Sequence, residues 1–137
     1  METLPVAATP FATLAAWSVV LLVAHVLFQG FAATRELGAR WNAGPRDSGE
    51  RPKGVLAGRA ERASANFRET YPAFLALCLA LGLTEDATGW GHAGALVWFA
   101  ARIVYLPLYI AGIPFVRSLF WGVSLLGMAI MFFAALA

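Results

Sequence analysis

Residues Arg59–Pro72 read RAERASANFRETYP and run without a break into the apolar stretch Ala73–Leu83, AFLALCLALGL. Charges therefore sit on what becomes a membrane-spanning helix. Arg62, Asn66 and Glu69 fall at i, i+4 and i+7 and line one helical face, which Arg59 extends by one turn and Ala73 continues upward. The wholly apolar part, Tyr71–Leu83, is too short to cross a bilayer alone, because a span needs about 20 residues. The crossing must include the turns bearing Glu69, Asn66 and Arg62. An unpaired charge at that depth is expensive, so these groups should face protein and pair there. An arginine grips carboxylate in a fork, an amide donates and accepts, and a glutamate takes an ammonium. Such a stripe can hold a small zwitterion such as a peptide.

Composition supports a membrane setting. Of 137 residues, 60% are hydrophobic and 13% charged, against roughly 25% charged in an average soluble domain. The expected fold class is all-α integral membrane, a four-transmembrane-helix bundle forming a single domain over 1–137. The single cysteine, Cys78, excludes an internal disulfide and a Cys-rich metal site, and no metal is expected. Cys78 lies in an apolar run and reads as a small buried hydrophobe.

Outward from the opening stretch, four spans are expected at about 11–33, 60–84, 92–111 and 118–137. Met1–Pro10 lacks the basic region of a signal peptide. In the first span His25 and Gln29 share a face, which reads as turned toward protein or, for Gln29, toward a ligand or a neighbouring subunit. The loop 34–59 holds Arg35, Arg40, Arg46, Arg51, Lys53 and Arg59, so it should be cytoplasmic, with both termini outside. Its Gly-, Pro- and Asp-rich centre reads as turn or mobile chain. Few aromatics interleave the basic run and spans flank it, so no nucleic-acid partner is expected. Pro72 should loosen the second span near Arg68. Gly122, Ser124 and Gly127 read as small packing positions in the last span.

The third span carries Arg102 near its middle, where translocon scales charge roughly 2.5 to 3.5 kcal/mol for an arginine. Trp98, Tyr105 and Tyr109 share its face. The second span enters from inside and the third exits there, so if the two pack together Arg59, Arg62, Asn66, Glu69, Arg102, Tyr105, Tyr109 and Arg117 should converge near the inner surface. A basic, tyrosine-rich pocket of this kind suits an anionic thiol peptide meeting a lipophilic partner. A plainer arrangement is also open, in which Arg102 pairs with Glu69 and merely locks two helices.

The pattern R-A-x-x-N-x-x-E followed by proline, here Arg62, Ala63, Asn66, Glu69 and Pro72, resembles the second helix of MAPEG proteins, the membrane-associated proteins in eicosanoid and glutathione metabolism. Ala101-Arg102-Ile103 with Tyr105, Tyr109 and Arg117 resembles the third helix and following turn of the same family. The likeness covers both charged motifs and the order of the spans, and the short chain is similar to bacterial members, which places it in an inner membrane. It implies a homotrimer with glutathione as co-substrate between subunits. Arg62, Asn66 and Glu69 would hold the tripeptide from one subunit, and Arg102, Tyr105 and Tyr109 would contact it from the next. Arg117 or Arg35 would activate the thiolate, with Tyr105 donating to it. Ser64, Thr70 and Pro107 depart from the eukaryotic pattern and weigh against eicosanoid activities. The expected function is a transferase or peroxidase acting on lipophilic electrophiles. The alternatives are a non-catalytic glutathione- or lipid-binding membrane protein and, less favoured because the first span holds no acid, a small exporter subunit.

Overall fold

Thr9 opens the first helix: its hydroxyl accepts from the Ala12 N–H at 3.2 Å, and Pro10 occupies the first turn, where its missing N–H costs nothing. The computed structural model describes residues 9–137, so the reading of Met1–Pro10 falls largely outside the described residues. Five helices follow in order: α1 Pro10–Leu37, α2 Ala39–Ala43, α3 Val55–Thr84, α4 Trp90–Ala111 and α5 Val116–Leu136. Among the described residues three helices, α1, α4 and α5, are long and apolar enough to cross a membrane. The fourth long helix, α3, has the length, about 45 Å at 1.5 Å per residue, but its first half carries the charges quoted above.

Helix ends differ from the hydropathy reading because caps set them, and apolarity does not. The first helix continues past Ala33 to Leu37 and stops at Gly38, whose positive φ of 88° suits glycine and whose N–H bonds back to the Thr34 carbonyl. The second long helix begins at Val55, five residues before Ala60. Glu36 explains that start. Its carboxylate accepts the backbone N–H of Lys53 at 2.6 Å and of Gly54 at 2.9 Å, placing an anion at the N-terminus of α3. The loop is therefore 38–54, and it is folded: α2 occupies it, Trp41 Nε1 donates to the Glu50 carbonyl at 3.2 Å, and the Arg46 guanidinium lies 4.4 Å from the Trp41 ring centre.

The four long helices run antiparallel in sequence. α3 packs against α1, α4 and α5, and α4 against α5. One buried stripe of α3 runs Phe67, Tyr71, Phe74, Cys78, Leu81, at helical spacing. Phe74 stacks on Trp98 with ring centres 3.6 Å apart, and Phe11, Leu14 and Met131 close around them. Ser18 and Tyr71 share a hydrogen bond at 2.9 Å across α1 and α3. Pro72 faces outward and α3 stays helical through it. α4 and α5 approach backbone to backbone: a Cβ on Gly94 would lie 2.6 Å from the Gly127 carbonyl, and one on Gly127 would lie 2.7 Å from the Gly94 carbonyl. Ser124 and Gly127 are buried there, but Gly122 is exposed and a Cβ on it would meet nothing, which corrects its reading as a packing position.

At the opposite end of the bundle Asp86 caps α4. Its carboxylate accepts the His92 N–H at 2.8 Å and the Thr88 hydroxyl at 3.2 Å. Burial pushes this carboxyl up, yet the hydrogen bonds from His92, Gly91, Thr88 and Gly89 outweigh it and hold it below the ordinary aspartate value.

Candidate functional site

Arg102 lies on the buried face of α4, one turn after Trp98 and one turn before Tyr105, and is 0% exposed. Only one of its guanidinium groups' directions is satisfied by protein: Nη1 donates to Asn66 Oδ1 of α3 at 3.0 Å. The guanidinium carbon lies 4.5 Å from the Tyr105 ring centre and 5.1 Å from that of Phe67, so aromatic faces supply the rest of its first surroundings. Its Nε and Nη2 are buried with no hydrogen-bond partner among the described residues. Buried charged donors left unmet cost about 1 to 3 kcal/mol or more each. An acceptor arriving between the helices would relieve that cost.

The inner end of the α3–α4 pair extends this arrangement. Ala63, Tyr105 and Tyr109 form a small buried cluster with Leu106 against it, and the two tyrosine rings meet edge to face at 5.5 Å. Arg117, at the start of α5, places its guanidinium 4.4 Å from the Tyr109 ring centre. Arg59 donates from Nη1 to the Ile110 carbonyl at 3.0 Å, and its guanidinium lies over Gly112, where any side chain would collide with it. The Gly112 φ of 75° suits glycine independently. Arg59 is thus a tie between α3 and the end of α4, in place of a simple extension of the stripe.

The structure therefore brings Asn66, Arg102, Tyr105, Tyr109 and Arg117 together within one chain. It leaves Arg62 and Glu69 exposed on the outer side of α3, and Arg35 exposed at the end of α1. Asn66 is half-buried between the two sets. Glu69 is not the partner of Arg102, whose hydrogen bond goes to Asn66; the helix-locking pair read as an alternative from sequence is replaced by an amide contact that leaves two donors free.

Phe67 joins the site though spacing did not single it out, and His25, read from spacing as turned toward protein, lies behind it. Phe67 forms a wall beside Arg102, and His25 of α1 stacks on the Phe67 ring with centres 4.5 Å apart. His25 is buried and its Nδ1 lies 2.7 Å from the Leu21 carbonyl. The hint for Phe67 was its place in α3 next to Asn66. It is the residue that turns toward the bundle while its charged neighbours turn away.

Residues 14–137 match the model described as the MAPEG family, and the chain belongs to that family. No curated protein and no solved structure matches it closely.

Proposed function

We propose that this chain, a member of the MAPEG family, binds glutathione against α3 and α4 and activates its thiol toward lipophilic electrophiles. The observation that carries the reading is Arg102, wholly buried with two unpartnered guanidinium nitrogens beside Asn66 and two tyrosines. Glutathione offers two carboxylates and one ammonium. Arg62 and Arg102 take the carboxylates, Glu69 takes the ammonium, and the Asn66 amide bridges donor and acceptor. Tyr105 and Tyr109 contact the bound tripeptide.

In this reading α3 also crosses the bilayer, making four spans, and three copies assemble. Arg62 and Glu69 are exposed in the single chain, near the inner edge of the hydrocarbon, where an unpaired charge is still unfavourable. A neighbouring copy's α4 covering them offsets that cost and completes the grip. Arg117 is already beside Tyr109, whereas Arg35 is exposed at the end of α1 and would come from a neighbouring copy.

The chemistry needs no nucleophile from the protein. An ordinary thiol has a pKa near 8.5, and an adjacent arginine lowers it. The thiol proton passes to water, and the thiolate is held by Arg117 or Arg35 and by a hydrogen bond from Tyr105. Its sulfur attacks the electrophilic carbon of an aryl halide, a carbon–sulfur bond forms, and halide departs.

Thiolate absorbance is titrated with glutathione on the purified protein, alongside conjugation of a model aryl halide. The expected result is a saturable thiolate signal with turnover, both weakened at least tenfold in Arg62→Ala and Arg102→Ala. Saturable binding without thiolate or conjugate assigns the chain as a non-catalytic glutathione binder. No binding to wild-type protein overturns the reading.

A further inference from the structure

A second polar cleft, remote from Arg102, lies between the inner half of α1, the folded loop and the start of α3. It measures about 410 Å3. Its apolar lining comes from Val26, Gly30 and Ala33 of α1 and Ala57 of α3, and its polar lining from Gln29 of α1, Glu61 of α3 and Asn42, Arg46 and Arg51 of the loop, with Trp41 beside them. We infer that this cleft binds the headgroup of an anionic glycerophospholipid of the inner leaflet.

Its charge matches that occupant. Arg46 and Arg51 against Glu61 leave one net positive charge in the cleft, equal and opposite to one phosphodiester. Arg46 is already held for the task. Nη2 donates to Asn42 Oδ1 at 2.6 Å and to the Asn42 carbonyl at 3.2 Å, while the guanidinium lies over Trp41. A fixed guanidinium loses little further entropy on meeting a phosphate, and its planar fork suits two phosphate oxygens. Gln29 and Glu61 provide partners for headgroup hydroxyls.

The apolar wall carries the rest of the molecule. Val19, Val23 and Val26 are exposed at i, i+4 and i+7 along α1 and lead directly to Gly30. At Gly30 a Cβ would meet nothing within 4 Å, so the track enters the cleft through an open notch. An acyl chain lying along the valines therefore places its phosphate beside Arg46 and Arg51. Trp41, at the mouth, is the residue type that favours the headgroup level. A free phosphate ester would use the two arginines but not the valine track, and this difference separates the two sources.

The test uses the full chain, purified in neutral detergent and stripped of lipid. Melting is followed while phosphatidylglycerol, phosphatidylcholine or inorganic phosphate is added. Phosphatidylglycerol should raise Tm saturably and the other two should not. Arg46→Gln with Arg51→Gln should weaken that response on the order of 30-fold, from about 1 kcal/mol per arginine near a charged surface. Arg51→Gln alone, which leaves the Asn42 and Trp41 contacts in place, should weaken it about fivefold. Arg40→Gln with Lys53→Gln removes the same charge outside the cleft and should change it little. Equal responses to phosphatidylglycerol and phosphatidylcholine overturn the proposal, as does an equal response to inorganic phosphate. An equal loss in the Arg40/Lys53 variant does so too, because it would mark diffuse attraction. The glutathione reading stands or falls separately, since none of these variants touches its residues.

Discussion

Asn66 gives Arg102 its one protein partner, at 3.0 Å. Asn66→Ala removes it and leaves a buried guanidinium wholly unmet, which should cost about 1.5 to 3 kcal/mol of stability in thermal or denaturant unfolding. Asn66→Asp should act in opposite directions on two readouts. A carboxylate satisfies Arg102 internally and preserves stability, but it competes with an incoming carboxylate and weakens glutathione binding. If both readouts fall together, Asn66 is structural only. At the other end of the bundle, Asp86 has a depressed folded pKa, against about 3.9 unfolded. Its contribution is full above the unfolded value and is lost as pH falls through the folded one. Asp86→Ala should therefore lower stability by about 0.5 to 2 kcal/mol near neutral pH. Its deficit relative to wild type should shrink as pH falls below about 4 and through the depressed folded value in a melting series.

At the scale of elements, α4 and α5 are joined by their thinnest side chains. Gly94 and Gly127 leave no room for a Cβ, each facing the other's carbonyl. Gly127→Ala should cost about 1 to 3 kcal/mol through overpacking. Gly122→Ala, in open space one turn and a half earlier, should be neutral or slightly stabilising, because alanine favours helix by up to about 1 kcal/mol. Unfolding of the two variants side by side checks the pair. Sequence spacing made the helices and the shared face of Arg102, Tyr105 and Tyr109 legible, since both follow from a 3.6-residue period, but it turned the wrong face of α3 inward: Phe67, Tyr71, Phe74, Cys78 and Leu81 are buried there while Arg62 and Glu69 are exposed. It did not separate Gly122 from Gly127, because both are small and apolar and only the crossing point of two helices distinguishes them. It likewise read Arg59 as part of a stripe, whereas the antiparallel run of α4 brings the Ile110 carbonyl within its reach. The start of α3 was hidden for the same reason: Glu36, 18 residues away, supplies the charge at its N-terminus.

For the whole molecule, the exposed apolar surface is extensive. Trp17, Leu27 and Phe31 on α1 and Phe133 and Leu136 on α5 all face outward, as membrane-embedded surfaces do, and the charged Arg62 and Glu69 lie on the outside of α3. The trimer proposed above makes a physical prediction for both. Native mass spectrometry from mild detergent should give about three times the 14.7 kDa chain, and Arg62→Ala should weaken glutathione binding without changing that mass. A monomer that binds glutathione with full affinity would remove the neighbour from the site. The partial legibility of the site has a physical reason: residues meeting within one chain, such as Asn66 and Arg102, can be read from helical period and direction, whereas the contacts across copies proposed for Arg62 and Glu69 would carry no mark in their spacing.

The Glu36 carboxylate fastens the end of α1 to the first amides of α3, so the segment between them bears no tension from the helices on either side. Cutting the backbone near Pro45–Ser48, or encoding the two pieces on separate messages, should then still yield a working protein, with the severed ends free and the bundle held shut by the α1–α3 core and an acidic buckle at its inner end.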